Sequence, residues 1–328
     1  MSRLAIVIPY MGDSASLEST LASVLAHRPR ACEVVVALAR PYSDPYDIKS
    51  EVRFVAAAAG EGLAGAVNAG VRQSTAPVVH LLWCGAEVSE GWSDPAMTHL
   101  RDSRVVAVAP VVVDAHEPAR IVAAGVTYHV GGAILPLAAG EAVDSVGTRC
   151  QRVLAPHPVA AFYRRSTLET IGGLSTTVGD ALAGIDAGLT FRQLGWTTLM
   201  EPRCRVSVPG GSAWGLGRFR QALEAERFFW QWAAVLGPVR SVACHGMLVA
   251  GEGVRGVLDL SIVPRLAGRL VGGCLAVSSP GRRQRISELR ARLGDPAPLA
   301  PTPAPHFPPS TSRARGNGQA VRPDGSAR

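Results

Sequence analysis

The residues best suited to chemistry are few and lie far apart. Asp186 opens a segment of helical pattern, where a carboxylate serves either as a helix cap or as a general base. Asn68 sits among small residues and is either a contact for a bound ligand or a helix-packing polar group. Gly60-Glu-Gly62-Leu-Ala-Gly65 has the spacing of a dinucleotide-binding loop. It follows the third apolar run rather than the first, however, and no acid ends the next one. Small residues that let a helix sit close to a sheet explain it more simply, and a nicotinamide-dependent oxidoreductase rests on this motif alone. Cys32, Cys84, Cys150, Cys204, Cys244 and Cys274 form no CxxC pair, which fits reduced core thiols better than zinc ligands or a disulfide framework. His80, His129 and His157 show no ligand spacing and read as core or loop residues.

The elements that must position these groups alternate. Leu4–Tyr10 is a β-rich run closed by Pro9 and Tyr10, and Asp13 or Ser14 caps a helix with Leu17, Leu21, Val24 and Leu25 on one face. Glu33–Leu38 is an unbroken apolar run suited to a strand buried on both faces. Arg53–Ala57 predicts a third strand, Leu63–Gln73 a helix, Pro77–Leu82 a fourth strand and Arg104–Val113 a longer one. This alternation predicts an α/β fold, a mostly parallel sheet with helices on both faces. Residues 118–165 read as glycine-rich strands, Ser166–Gly173 and Asp186–Leu194 as helices, and Trp196–Glu201 and Arg205–Val208 as strands. Beyond Gly217 the chain turns helical.

Length and composition allow a large core: 328 residues, 47% hydrophobic and 18% charged. Ile121–Gly140 is uncharged and long enough to span a bilayer, but four glycines and Pro136 make it buried strands and turns. The first residues lack the apolar length of a signal peptide, which predicts a cytoplasmic protein, with peripheral contact on the cytoplasmic face of the inner membrane as an open extension. Residues 1–200 carry 15 basic and 18 acidic side chains, and residues 201–328 carry 18 and 8. The basic rear half suits anionic lipid or phosphate; without a helix-turn-helix or RNA-binding signature it does not suggest nucleic acid.

In series, these segments resemble family 2 glycosyltransferases. Ile6–Tyr10 and the LESTLASVL helix of residues 17–25 match the family's first strand and helix, and Glu33-Val-Val-Val matches its second strand. Gly62-Leu-Ala-Gly-Ala-Val-Asn68-Ala-Gly70, Val78–Leu82, Gly91-Trp92, Tyr163–Gly173 and Asp186–Gly195 follow in the family's order, over about residues 3–210. The resemblance implies a nucleotide-diphospho-sugar transferase (GT-A) fold and inverting transfer of a sugar from a nucleotide donor, with Asp186 as base. The implied donor contacts are Pro9, Tyr10, Leu38, Arg40, Asn68, Trp83, Cys84 and Gly85.

The departures are chemical. Leu38 and Ala39 stand where the family has an aspartate for the nucleotide base, and Trp83, Cys84 and Gly85 replace its metal-holding Asp-x-Asp. Ile185 and Gly188 stand where acids flank the base, and no late metal-binding histidine is found. The expectation is therefore a site with no cofactor, in which a divalent metal is unlikely. Arginines such as Arg40, Arg203, Arg205 or Arg218 either replace it at the diphosphate or are solvated surface residues. The acceptor implied is a cell-surface polysaccharide or glycolipid. A catalytically inactive homologue, binding sugar or nucleotide as a scaffold, is the alternative. Phe219–Leu236 mixes aromatics with Arg220 and Arg227, so it either lies in a membrane interface or packs back on the domain. The expected organisation is a transferase-like domain over 1–212, a helical region over 213–294 and a disordered tail over 295–328.

Overall fold

The computed structural model describes residues 2–58, 61–209, 218–258, 262–277 and 281–294. The expected boundary at 212/213 and the expected disordered tail from 295 lie outside the described residues.

The first strand, β1 (Leu4–Tyr10), is buried along its whole length, and its alternate side chains serve two layers. Leu4, Ile6, Ile8 and Tyr10 face α1 (Ser14–His27), packing with Leu17, Leu21 and Val24, while Ala5 and Val7 pack with Leu63, Val67 and Val71 of α2 (Leu63–Gln73). Asp13 is the cap of α1, its carboxylate accepting from the Ser16 amide. The parallel neighbours β2 (Cys32–Leu38), β3 (Val52–Ala56) and β4 (Val78–Leu82) complete this half, in the order β4-β1-β2-β3.

The other half is mixed. The short β5 (Glu87–Val88) and α3 (Asp94–His99) lead into β6 (Val105–Asp114), and β7 (Ile121–Ala123), β8 (Val126–Tyr128) and β9 (Ile134–Pro136) follow. The uncharged run Ile121–Gly140 is thus strands and turns. Next come a single 3-10 turn, β10 (Gln151–Val153), β11 (Ala160–Arg164), α4 (Arg165–Thr170), α5 (Asp180–Gln193) and β12 (Thr197–Val208). β11 runs antiparallel between β4 and β6, while β6 and β12 are parallel. The two strands expected at 196–208 form one, with a register shift between Glu201 and Arg205 where Pro202 interrupts the ladder.

Four helices close the described chain: α6 (Arg218–Leu236), α7 (Pro238–Leu258), α8 (Ile262–Val277) and α9 (Arg282–Leu293). Phe228 and Trp232 of α6 and Ile286 and Leu289 of α9 belong to the same apolar cluster as Ala5 and Val7 of the central strand. The packing alternative therefore describes α6, whose Phe228, Phe229 and Trp232 are fully buried. Among the described residues, no helix is long and apolar enough to cross a membrane.

Candidate functional site: the carboxyl ends of β1, β2 and β4

β1 pairs with β2 on one side and β4 on the other, and α1 and α2 lie on opposite faces. Such a switch in winding opens a crevice at the carboxyl ends of the strands, where α/β sheets bind their ligands. Pro9, Tyr10, Leu38, Arg40, Trp83, Cys84 and Gly85 come together there. Tyr10 and Leu38 are register partners, and the Ala39 amide donates to the Tyr10 carbonyl at 3.0 Å. The Cys84 thiol donates to the Pro9 carbonyl at 3.2 Å, closing β4 against β1. Gly85, at φ +91°, donates its amide to the Ser16 carbonyl and the Thr20 hydroxyl of α1, a turn that an L side chain would strain. Arg40 is exposed, its stem beside Gly12 just past β1.

Sequence reasoning missed the aromatic residues behind this crevice. Tyr10 meets Tyr42 edge-on at 5.3 Å between ring centroids, and Tyr42 stacks on Phe54 at 5.6 Å. Tyr42 lies in an irregular segment with no periodic signal. Burial, with the charges of Glu18 and Asp44, raises its phenol above the ordinary value.

Two of the expected site residues are elsewhere. The Asn68 amide donates to the Leu174 carbonyl and accepts from the Leu174 amide, both at 2.8 Å. It is a clamp between α2 and the segment before α5, a bonding pattern that fits the helix-packing alternative for this residue. Asp186 is 4% exposed and lies six residues into α5, because that helix begins at Asp180 rather than at Asp186. Six residues of helix are about 9 Å. It is thus the first residue of α5, Asp180, that lies at the crevice end, accepting from the Ala64 amide of α2 at 3.1 Å. The Gly179-Asp180 pair was the signal for that start: a glycine followed by an acid in the first turn.

The Asp186 carboxylate is enclosed by later helices. Trp232 Nε1 donates to Oδ1 at 2.9 Å, and Arg282 closes on both oxygens, at 2.7 Å and 2.9 Å. Burial raises this carboxyl above its usual value, opposed by the Arg282 charge and these hydrogen bonds. The expected base is therefore an ion-pair partner facing α6 and α9.

A second group of reactive side chains lies across the sheet. His99 of α3, Cys150 before β10 and Glu201 of β12 place Nε2, Sγ and a carboxylate oxygen within 4.8 Å of one another. Arg203 also holds both Glu201 oxygens, and Arg203, Cys150 and His99 together outweigh burial and bring this carboxyl down to about 2. The scattered positions of these ligands gave no spacing to read.

No family model matches the chain, and no curated protein matches it. Solved structures do. The crystal structure of GalNAc-T7 with UDP, GalNAc and Mn2+ is similar at a TM-score of 0.55 and 15% identity, covering 71% of this chain and 48% of that one. The chain therefore spans about half of GalNAc-T7. The mannosyltransferase PcManGT from Pyrobaculum calidifontis, in complex with GDP-Man and Mn2+, aligns at a TM-score of 0.49 and 18% identity, over 89% of this chain and 86% of that one. The fold is that of the GT-A nucleotide-sugar transferases.

These findings correct the expectation that a divalent metal is unlikely. A structure of this fold holds Mn2+, and this chain has a group of side chains that could hold an ion. The end of β4 itself fits Mn2+ poorly. It offers the Cys84 thiol, raised by burial to about 12, and no carboxylate, whereas manganese prefers oxygen ligands. The nearby carboxylates of Asp13 and Glu87 are exposed and accept from Ser16 and Ser19.

Proposed function

We propose that the chain is a glycosyltransferase-like protein that takes a nucleoside diphosphate sugar in the crevice between β1 and β4. The observation that supports this best is the switch in winding at β1, with residues of three strand ends gathered at its mouth. Arg40 is the cation placed to meet a diphosphate, since a guanidinium pairs with phosphate oxygens in a bidentate fork. Inverting transfer requires a carboxylate that removes the proton of an acceptor hydroxyl as that oxygen attacks the anomeric carbon. Asp186 fills this role only if Arg282 withdraws from it.

A second reading, a homologue that binds its ligand without turnover, is favoured by that enclosure of Asp186. Titration calorimetry with UDP- and GDP-sugars, followed by assay of the same mixtures for released nucleotide, separates the two. Arg40→Ala is expected to weaken binding about 10–100-fold. Unchanged affinity removes Arg40 from the site. Binding without release leaves the second reading, whereas release that Asp186→Asn does not slow removes Asp186 as the base.

The acceptor proposed is a cell-surface polysaccharide or glycolipid, met at a lipid surface. Val239, Val242 and Met247 of α7 and Leu266, Leu270 and Val271 of α8 are exposed. Residues 218–293 carry 12 arginines against 5 acids. Apolar side chains beside excess arginine suit an anionic membrane interface.

A further inference from the structure

We propose that His99, Cys150 and Glu201 form a binding site for a zinc-class transition-metal ion, separate from the crevice and independent of the glycosyltransferase reading. The carrying observation is a count of hydrogens. His99 Nε2 lies 2.6 Å from Glu201 Oε2, Cys150 Sγ lies 3.0 Å from the same oxygen, and Sγ and Nε2 are 3.1 Å apart. These contacts make a closed triangle with three edges. A thiol supplies one hydrogen, imidazole Nε2 at most one, and an ionised carboxylate none. If both point at Oε2, sulfur and nitrogen face each other with no hydrogen between them. If the thiol donates to Nε2, that nitrogen has no hydrogen for Oε2 at 2.6 Å. Two hydrogens cannot satisfy three edges, whereas one cation at the centre satisfies all three ligand atoms together.

The ligand set names the class of metal. One imidazole nitrogen, one thiolate sulfur and one carboxylate oxygen suit zinc, while manganese, magnesium and calcium favour oxygen. Bonds of about 2.0–2.3 Å in tetrahedral array hold such atoms roughly 3.3–3.7 Å apart, so the edges open by about 0.5–0.8 Å, the His99–Glu201 edge most. His99 ends a six-residue helix and Cys150 lies in a loop, so both can give. Glu201 stays fixed: its side chain is fully buried, and Arg203 donates to Oε1 and Oε2 at 2.9 Å and 3.1 Å. The His99 side chain is 24% exposed, leaving the fourth position open to water. On binding, the thiol hydrogen and any hydrogen on Nε2 leave as protons to solvent, the sulfur stays as a thiolate ligand, and no electron changes hands.

β11 and β6 separate β12 from β4, which puts the group about 14 Å across the sheet from the crevice. An ion there ties α3, the β10 approach and β12 together at the far edge of the sheet.

The test uses the full chain, treated with chelator and titrated with Co2+ alone. One equivalent is expected to give sulfur-to-cobalt charge-transfer absorption and tetrahedral d–d bands, displaced by one equivalent of Zn2+ but not by Mn2+. Cys150→Ser should lose the charge-transfer band, and His99→Gln, which keeps the thiol, should bind at least ten-fold more weakly. Cys274→Ala, exposed on α8, should behave as the parent. The proposal is overturned if the folded parent gives no sulfur band, if the band persists in Cys150→Ser, or if His99→Gln binds unchanged. His99→Gln is read alone should Cys150→Ser fail to fold.

Discussion

Arg282 reaches Asp186 from a helix 96 residues further along the chain, and its guanidinium carbon also lies 5.3 Å from the centre of the Trp232 ring. The pair is nearly closed to water, with side chains 13% and 6% exposed. Removing the arginine alone leaves a buried carboxylate with the Trp232 hydrogen bond and the more distant Arg285 charge to offset it. Arg282→Ala should therefore destabilise the protein by about 3–5 kcal/mol in urea unfolding. Asp186→Asn combined with Arg282→Ala should recover a large part of that loss, and additive effects would show that the two do not interact. At this scale the sequence was half legible. An acid at 186 stood out, and its neighbours up to Gly195 carried the helical pattern. Its partner could not be read, because a buried ion pair has no local signature and the helix start at Gly179 sets which way the side chain points.

The helices and strands test separately. Gly268 and Gly272 of α8 lie against the backbone of α6 at Phe219 and Leu223, with no room for a Cβ at either. Gly268→Ala or Gly272→Ala should cost about 1–3 kcal/mol by overpacking. Gly246→Ala on α7, with open space around it, should instead stabilise by up to about 1 kcal/mol. Thermal unfolding of the three variants reads the difference, and equal shifts would refute the close approach of α8. In β4, His80 is fully buried and stacked on Phe162 at 3.8 Å, and burial lowers its imidazole to about 3. The unfolded chain takes up that proton near pH 6.5, so it binds more protons than the folded one between about pH 6.5 and 3. Stability from His80 is therefore complete above about pH 6.5 and declines as pH falls. His80→Phe should flatten that decline, and an unchanged profile would assign it to other groups.

Element by element, β1 and α2 were legible because unbroken apolar runs and 3.6-residue spacing report burial directly. The antiparallel course of β11 was not. A period of two residues tells which face is buried but not which way the strand runs.

As a whole, the molecule gathers ten of the fourteen exposed large hydrophobics of its described residues on α6, α7 and α8. Three of the five acids of residues 218–293, Glu224, Glu226 and Glu252, are already paired with Arg220 and Arg269. Cosedimentation should show binding to vesicles rich in anionic lipid and little to neutral ones, lost in Leu270→Glu. Equal binding to both would remove the electrostatic part of the reading, and no effect of Leu270→Glu the apolar part. The order of the GT-A elements was legible over the first two hundred residues, whereas Trp83, Cys84 and Gly85 showed only that the usual acids are missing there. The metal-capable group of His99, Cys150 and Glu201 was not legible at all, since its members share neither an element nor a spacing.

α9 has a consequence for how the chain is made. Arg285 donates to the Ile171 carbonyl, Arg290 to the Gln193 carbonyl at the end of α5, and Ile286 and Leu289 complete the apolar layer begun by Ala5 and Val7. A ribosome delivers this helix only after every strand of the sheet. Until it emerges, α5 holds a half-covered acid and the central layer lacks its lid, so the sheet of residues 4–208 waits on residues 282–293. Nascent chains stalled before residue 281 should therefore remain protease-sensitive in α5, and those stalled well beyond residue 294 should not.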